Sequence, residues 1–456
     1  MERLTGLLGV LVFIGLAFGI SRDRRRIHWP TVAWGLGLQW LLAVVVLRGG
    51  ALSQGLAFLP FPKGTGWAVL GLLLLPWILK RFARFEHRAL TWSLRGLALL
   101  GIIRGNLLGA SFDRIRLGVQ KLMAYGLEGA RFVFGSLADE KGPAAFVFAF
   151  QVLPVIIFVG SLFAILYYLG IMQRVVAAGA RALGKVMRVT GAESVCAVAN
   201  VFMGQTEAPL TVKPYLAGLT RSELMTVMVT GMASVSGSIM VTYVQVANVD
   251  IVHLLTAALM SAPAALVFAK IMEPESENRA WGGEVNVDVL LDDANVLDAA
   301  ARGASEGLHL AINVAGMLIA FIALMAMING GLKLAHPELT LEGILGFLFR
   351  PVAWLIGVPW SEAGAIGTIL GKKMVLNEIV AFLDLKAATG LAPRTFMITT
   401  FAVTGFANFS SIAIQLGGIG ALIPGRRGDL ARLGFKAMLA ATLANFTSAC
   451  VAGVLG

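Results

Sequence analysis

Two short motifs set carboxylates inside segments that otherwise belong in hydrocarbon. They are Gly204-Gln205-Thr206-Glu207-Ala208-Pro209 and Asn377-Glu378-Ile379-Val380-Ala381-Phe382. A run of small and hydroxyl residues follows each within a further apolar stretch: Thr230-Gly231-Met232-Ala233-Ser234-Val235-Ser236 after the first, Thr404-Gly405-Phe406-Ala407-Asn408-Phe409-Ser410-Ser411 after the second. An ionisable group at membrane depth costs at least ~2.5 kcal/mol on insertion scales, so it is rarely idle. A duplicated intramembrane polar site is what a solute carrier needs.

The 456 residues are 57% hydrophobic and only 14% charged, with a mean hydropathy of +0.81. Soluble domains run near ~45–50% and ~25%. Several apolar runs reach the ~20 residues that span a bilayer, so the chain reads as an all-α polytopic membrane protein. The net charge of +11 does not indicate nucleic acid, because Lys and Arg sit in short loops between apolar segments, as cytoplasmic loops require. Cys196 and Cys450 lie in apolar surroundings and make no disulfide framework. The five histidines are far apart and show no ligand spacing.

The first helix covers residues 4–20 and reads as membrane helix rather than signal peptide. It ends at the basic loop Ser21–Arg26, which should be cytoplasmic, leaving the N-terminus outside. A second helix covers 30–48. Residues 51–105 suit an extra helical hairpin or a membrane-surface helix, and 113–130 an amphipathic interfacial helix. A long helix over 145–169 is interrupted at Pro154, and Arg174, Arg181, Lys185 and Arg188 mark its cytoplasmic end. The arms Val195–Gly204 and Ala208–Leu219 each reach only ~15 Å at 1.5 Å per residue, half the hydrocarbon thickness. They read as a re-entrant hairpin, tolerated where protein or a water-filled cavity lines it. Helices follow at 223–246 and 251–271. The acidic stretch 273–303 is a cytoplasmic linker. A helix over 305–331, an amphipathic stretch Leu341–Val358, a second hairpin over 361–387 and helices at 395–421 and 434–455 complete the chain.

Displacing the chain by 174 positions brings Thr230-Gly231-Met232-Ala233-Ser234 onto Thr404-Gly405-Phe406-Ala407-Asn408, and Glu378 opposite Gly204. The first hairpin starts from the cytoplasm and the second from outside, so the repeats are inverted. Inverted repeats with broken helices and midplane polar residues are a secondary-transporter signature. The breaks expose backbone groups to a solute or ion. Glu207 and Glu378 must be protonated, paired or hydrogen-bonded, with Lys213, Lys372 and Lys373 as candidate structural partners. A carboxylate accepts hydrogen bonds only and suits a solute rich in hydroxyl and N–H donors. Gln205, Thr206 and Asn408 both donate and accept. Asn200 and Ser234 offer neutral oxygens compatible with a small monovalent cation.

These motifs, with Phe150-Gln151-Val152-Leu153-Pro154, Gly357-Val358-Pro359-Trp360 and Arg426-Arg427-Gly428-Asp429, resemble the concentrative nucleoside transporters. The resemblance is loose over 1–50 and close over 106–456. It implies a homotrimer in the cytoplasmic (inner) membrane, each protomer with its own pathway, and no enzymatic activity. It implies that Gln205, Thr206 and, through water, Glu207 handle the nucleobase, with Ile239 packing on the base. Glu378, Asn408 and Ser411 would hold ribose hydroxyls, and Phe406 would line the pocket. Sodium would be bound by the Asn200 and Ser234 side chains with the carbonyls of Met203 and Val235. Gly-Gln-Thr-Glu-Ala-Pro is the sodium-type version of the first motif; the alternative is a proton-coupled nucleoside carrier. On this reading 1–190 form scaffold helices, with 51–105 an unassigned insertion and 106–130 an interfacial helix. Residues 191–272 are the first transport repeat, 273–303 the linker, 304–358 a scaffold helix and amphipathic segment, and 359–456 the second repeat. About eight core transmembrane helices are expected.

Overall fold

Helix is the only regular secondary structure among the described residues, the outcome expected where lipid offers backbone groups no partner. The computed structural model describes residues 2–49, 54, 107–139, 147–277 and 293–456. The extra hairpin expected within 51–105 and the centre of the acidic linker lie outside them. Seven helices among the described residues are long and apolar enough to cross a membrane.

α1 (Glu2–Ile20) runs antiparallel to the last helix, α16 (Arg427–Leu455). The Phe13 and Phe446 rings meet at 5.7 Å, and Arg3 donates to the carbonyl of the terminal Gly456 at 3.1 Å. The two chain ends therefore share one end of the bundle. Basic side chains from separate segments converge on Glu273 at the other end: Arg22 and Arg221 at 2.9 Å from Oε1, Lys436 at 2.9 Å from Oε2. Burial alone would push this carboxyl up. The hydrogen bonds from Arg22 and Lys436 and the charges of Lys436 and Arg221 prevail and hold it below the usual carboxylate range. This gathering of loop cations at one end is the arrangement that a single cytoplasmic face requires.

α2 (Trp29–Leu47) packs on α9 (Ile251–Met272). α3 (Leu107–Phe134) is the amphipathic helix expected at 106–130, and its Arg116 pairs at 2.7 Å with Asp250, the residue that caps α9. A short turn at Phe148–Gln151 precedes α4 (Leu153–Tyr168), with Pro154 in the first turn where its missing N–H does no harm. α5 (Ile171–Met187) is a helix that the sequence reading treated only as the basic end of its predecessor. Its buried Met172, Val176, Ala180, Leu183 and Met187 recur at helical spacing, while Arg174, Arg181 and Lys185 occupy other faces. The charges masked the period.

α4 crosses α10 (Val296–Ala335), which starts within the stretch assigned to the linker, capped by Asn295. The crossing is made by small residues: a Cβ on Gly160 would lie 2.8 Å from the Gly303 carbonyl oxygen, and one on Gly307 2.8 Å from the Ile157 Cα. Ser161 donates to the Ala300 carbonyl at 2.9 Å. Close approach through small residues replaces the hydrophobic drive that lipid removes. α11 (Leu341–Leu355) packs along α12 (Ala363–Val375), the first arm of the second hairpin.

Both re-entrant hairpins are present. In the first, α6 (Gly191–Ala199) enters under a Thr190/Glu193 capping box, the turn covers 200–207, and the chain returns through Ala208–Val212 and Lys213–Leu216. In the second, α12 is followed by α13 (Glu378–Ala387). Each hairpin precedes a helix broken in mid-course: α7 (Arg221–Ala233) and α8 (Gly237–Ala247), then α14 (Pro393–Val403) and α15 (Phe409–Leu422). An unbroken helix closes each set, α9 and α16.

The base of the first hairpin is pinned by a buried ion pair. Lys270 lies 2.6 Å from Glu193, which also accepts from Thr226 at 2.7 Å, and Lys270 donates to Ser222 at 3.0 Å. Removing one partner of a buried pair strands the other charge and costs ~3–5 kcal/mol, whereas apolar replacement of both is often neutral. Lys270→Met should therefore lower the melting temperature of the purified protein, and Lys270→Met with Glu193→Leu should restore most of it.

Candidate functional site

The two helix breaks face each other. The Phe406 amide donates to the Ser234 carbonyl at 3.2 Å, and the Asn445 side-chain amide of α16 donates to the Ala233 carbonyl at 2.7 Å. The second break turns at Gly405, whose φ of +143° L side chains rarely adopt. Carbonyls that the breaks leave without helical partners are thus bonded across the repeats.

Local capping chemistry places the side chains. Asn377 caps α13 by accepting from the Val380 amide at 3.0 Å, which fixes Glu378 in the first turn. Asn408 caps α15, its Oδ1 accepting from the Ser411 amide at 2.9 Å and the Ser410 hydroxyl at 2.7 Å. The Asn408 amide nitrogen is left to donate to Glu378 Oε2 at 3.1 Å. Tyr243, from α8, donates its phenol to Glu378 Oε1 at 2.9 Å. From the first hairpin, Gln205 Nε2 donates to the Ser411 hydroxyl at 3.0 Å, and its buried Oε1 has no partner among the described residues. Gln205, Ser411, Asn408, Glu378 and Tyr243 therefore form one connected chain spanning both hairpins and both broken helices. Its donors and acceptors are neutral apart from one carboxylate, whose remaining lone pairs suit hydroxyl donors.

The other expected solute residues lie around this chain. Ile239 is buried in α8, and Phe406 is partly buried at the break. Thr206 packs against Gly418 of α15. Glu207 differs: it is exposed, accepts from the Gly204 amide at 3.1 Å, and interacts electrostatically with Tyr167, Arg302 and Glu306 on α4 and α10. Of the lysines weighed as structural partners, Lys213 is exposed, and Lys373 interacts electrostatically with Glu378 while hydrogen-bonding elsewhere. Lys372 pairs with Asp384 at 2.9 Å, and fully buried Lys373 donates to Asn445 Oδ1 at 3.4 Å.

The expected ion ligands have distinct hydrogen-bond environments. The Asn200 amide nitrogen donates to the Cys196 carbonyl at 2.9 Å and to the Thr230 hydroxyl at 3.2 Å, so the side chain is pinned. Its Oδ1, like the Ser234 hydroxyl oxygen, is buried without a hydrogen-bond partner among the described residues. Leaving a buried polar group unpaired costs ~1–3 kcal/mol, so two orphan oxygens of this kind fit a cation ligand set. Met203 and Val235 are buried in the same hairpin turn and helix break. Neutral hard oxygens suit a small monovalent cation better than a transition metal.

Sequence reasoning missed Tyr243, Gln415 and Asn445 as parts of this region. The signal was present for Gln415 and Asn445, lone amides in apolar helices. An apolar stretch offered no reason to single out Tyr243.

The comparisons converge on one assignment. Models described as "Na+ dependent nucleoside transporter N-terminus", "Nucleoside recognition" and "Na+ dependent nucleoside transporter C-terminus" match residues 8–60, 149–249 and 253–453. The chain is 48% identical to the uncharacterized transporter YutK of Bacillus subtilis over all of both chains. It is 43% identical to the nucleoside permease NupC of Helicobacter pylori, over 74% of this chain and 83% of that one. The solved structure of CNTnw in an inward-facing substrate-bound state superposes with a TM-score of 0.82 at 39% identity, covering 100% of this chain and 98% of that one. CNTnw variants solved in an outward-facing state match at 0.81 and 0.80. These relatives are transporters, and the chain is a carrier rather than an enzyme. With its paired hairpins and crossed helix breaks, it belongs to the concentrative nucleoside transporter family.

Proposed function

We propose that this protein is a sodium-coupled symporter that imports nucleosides across the cytoplasmic membrane by alternating access, working as a homotrimer. One observation carries the coupling. The orphan oxygen of Asn200 and the base-facing Gln205 belong to the same hairpin turn, and Ser234 offers its side chain to the ion while its carbonyl holds Phe406. A cation taken by Asn200 and Ser234, with the Met203 and Val235 carbonyls, orders that turn and presents Gln205 and Thr206 to the base. Ribose hydroxyls are received by Glu378, Asn408 and Ser411, while Ile239 and Phe406 cover the apolar faces. Glu207 acts through water at the rim. The loaded or fully empty transport unit crosses readily and the half-loaded one does not. An inward membrane potential adds ~2.3 kcal/mol per charge per 100 mV.

The division into moving and fixed parts follows the packing. Hairpins, broken helices, α9 and α16 form the transport unit. By the same packing α1 along α16, α2 on α9 and α5 along α6 travel with this unit rather than with the scaffold expected over 1–190, and α4 crossed with α10 forms the scaffold. Gly237 lies against the Phe163 ring near the C-terminal end of α4, and Gln245 reaches the Gln151 carbonyl near its start. Together with Glu207 facing Tyr167 and the start of α10, this supports a transport unit displaced toward the basic, cytoplasmic end.

Uptake of radiolabelled uridine and adenosine into proteoliposomes, under imposed sodium or proton gradients, tests the proposal. Sodium-driven accumulation above the external level is expected. Uptake indifferent to sodium and driven by protons would establish the alternative coupling, and uptake without accumulation a passive channel. Ser234→Ala should raise the sodium concentration for half-maximal uptake about tenfold, the effect of losing ~1.4 kcal/mol of ion binding.

A further inference from the structure

Glu378 is the one carboxylate in this connected chain, and what holds it is not another residue of its own repeat alone. The Tyr243 phenol reaches its Oε1 at 2.9 Å, while Asn408 takes Oε2 at 3.1 Å. Tyr243 is wholly buried, its ring stacked on Phe382 with centroids 4.4 Å apart and planes at 26°. Phe382 lies one turn beyond Glu378 on α13, so the same helix that carries the carboxylate also clamps the ring that binds it. A side chain with both ring and hydroxyl fixed is an orienting element. A carboxylate held by one partner can turn about its terminal bond, and one held at both oxygens cannot.

The repeats make this position more than local. Tyr243 is the seventh residue of α8, counted from Gly237, and Gln415 the seventh of α15, counted from Phe409. Gln415 is also fully buried and crosses between repeats, donating to the Met228 carbonyl of α7 at 3.0 Å. In each repeat, then, a buried side chain seven residues into the second half-helix reaches into the opposite repeat. At Tyr243 that reach ends on the carboxylate that meets the solute.

We propose that Tyr243 is a positioning residue for solute recognition: its phenol orients the Glu378 carboxylate toward ribose hydroxyls, so that discrimination between ribosides and deoxyribosides depends on a residue that need not touch the sugar. The inference rests on the nucleoside reading above. Charge-assisted hydrogen bonds are the stronger and more directional ones, so loss of the phenol loosens the ribose contacts while leaving base contacts at Gln205 and Thr206 intact.

The test is Tyr243→Phe in the full-length protein, reconstituted in proteoliposomes beside the wild type. KM is measured for uridine and for its 2′-deoxy and 3′-deoxy analogues. The ring and its stack on Phe382 persist, so the fold should too. The expected result is a KM for uridine raised about tenfold, with a change of less than about threefold for either analogue, each of which lacks one of the hydroxyls that Glu378 receives, collapsing the ratios between them. Equal changes for all three solutes, or none, would overturn the proposal, since a merely structural hydroxyl has no reason to favour one sugar. Should the variant transport too slowly to measure, competition binding of the same three nucleosides to the purified protein reads the same ratio. Phe382→Leu, which frees the ring without removing the phenol, should shift that ratio in the same direction by less. If the wild type takes up no nucleoside, the functional reading has failed rather than this one.

Discussion

Replacing Glu378 by Gln should reduce nucleoside uptake to below about 1% of wild type while the protein keeps its fold. Both halves of that statement follow from the hydrogen bonds. An amide of the same volume still receives the Asn408 amide nitrogen on its oxygen, and its own nitrogen donates to the Tyr243 hydroxyl, which reverses from donor to acceptor. The phenol proton of buried Tyr243 then needs a new acceptor and fully buried Lys373 loses the charge beside it, so the melting temperature should fall while the fold persists. The solute fares differently. Hydrogen bonds to a charged group contribute ~1.5–3 kcal/mol each, and two ribose hydroxyls that lose them forfeit ~3 kcal/mol or more, over a hundredfold in affinity. Uptake assays beside a thermal melt of the same preparation check both. Normal transport by Glu378→Gln would remove the ribose assignment, and a collapsed melt would assign Glu378 to the fold.

Gly405→Ala should do the opposite, failing through the fold. A Cβ at this position lies 2.4 Å from Asn445 Oδ1 and 2.8 Å from the Ala233 carbonyl oxygen, on a backbone at φ +143°. Strain of this kind costs ~1–3 kcal/mol. Moving Asn445 aside also breaks its bond to Ala233 and takes the acceptor from buried Lys373, each stranded group adding ~1–3 kcal/mol. The expected result is a protein that melts well below wild type and transports less than about a tenth as fast, with Gly405→Ser no better because the Cβ is the offending atom. Wild-type melting and uptake would mean that the crossing of the two breaks tolerates displacement.

Much of this architecture was legible because lipid restricts the options. Apolar length marks spanning helices, half-length arms mark the hairpins, and opposed repeats follow from where the basic loops fall. The two breaks were visible as small, hydroxyl-rich runs in apolar segments. α5 was not, because its apolar stripe of Met172, Val176, Ala180, Leu183 and Met187 is interleaved with Arg and Lys on other faces. The start of α10 was hidden for a related reason: its first turns, from Val296, are polar enough to read as linker. Within the site, the caps Asn377 and Asn408 are local and could be read from spacing. Their union with Gln205, and the reach of Tyr243 to Glu378, depend on contacts across 206 and 135 positions that periodicity does not report. Glu207 shows the limit of motif reasoning: adjacent to Gln205 and Thr206 in sequence, it is turned toward the scaffold.

The central claim is that ion and solute share one hairpin turn and therefore bind with mutual help. By linkage, whatever sodium does for the nucleoside the nucleoside must do for sodium, typically by ~1–3 kcal/mol. The measurement is the dissociation constant of uridine or adenosine for the purified protein, titrated in sodium chloride and in choline chloride at equal ionic strength. The account predicts affinity that tightens at least fivefold as sodium rises, and a wild-type protein far more sodium-sensitive than Asn200→Ala or Ser234→Ala. Equal nucleoside affinity in sodium and in choline would contradict it.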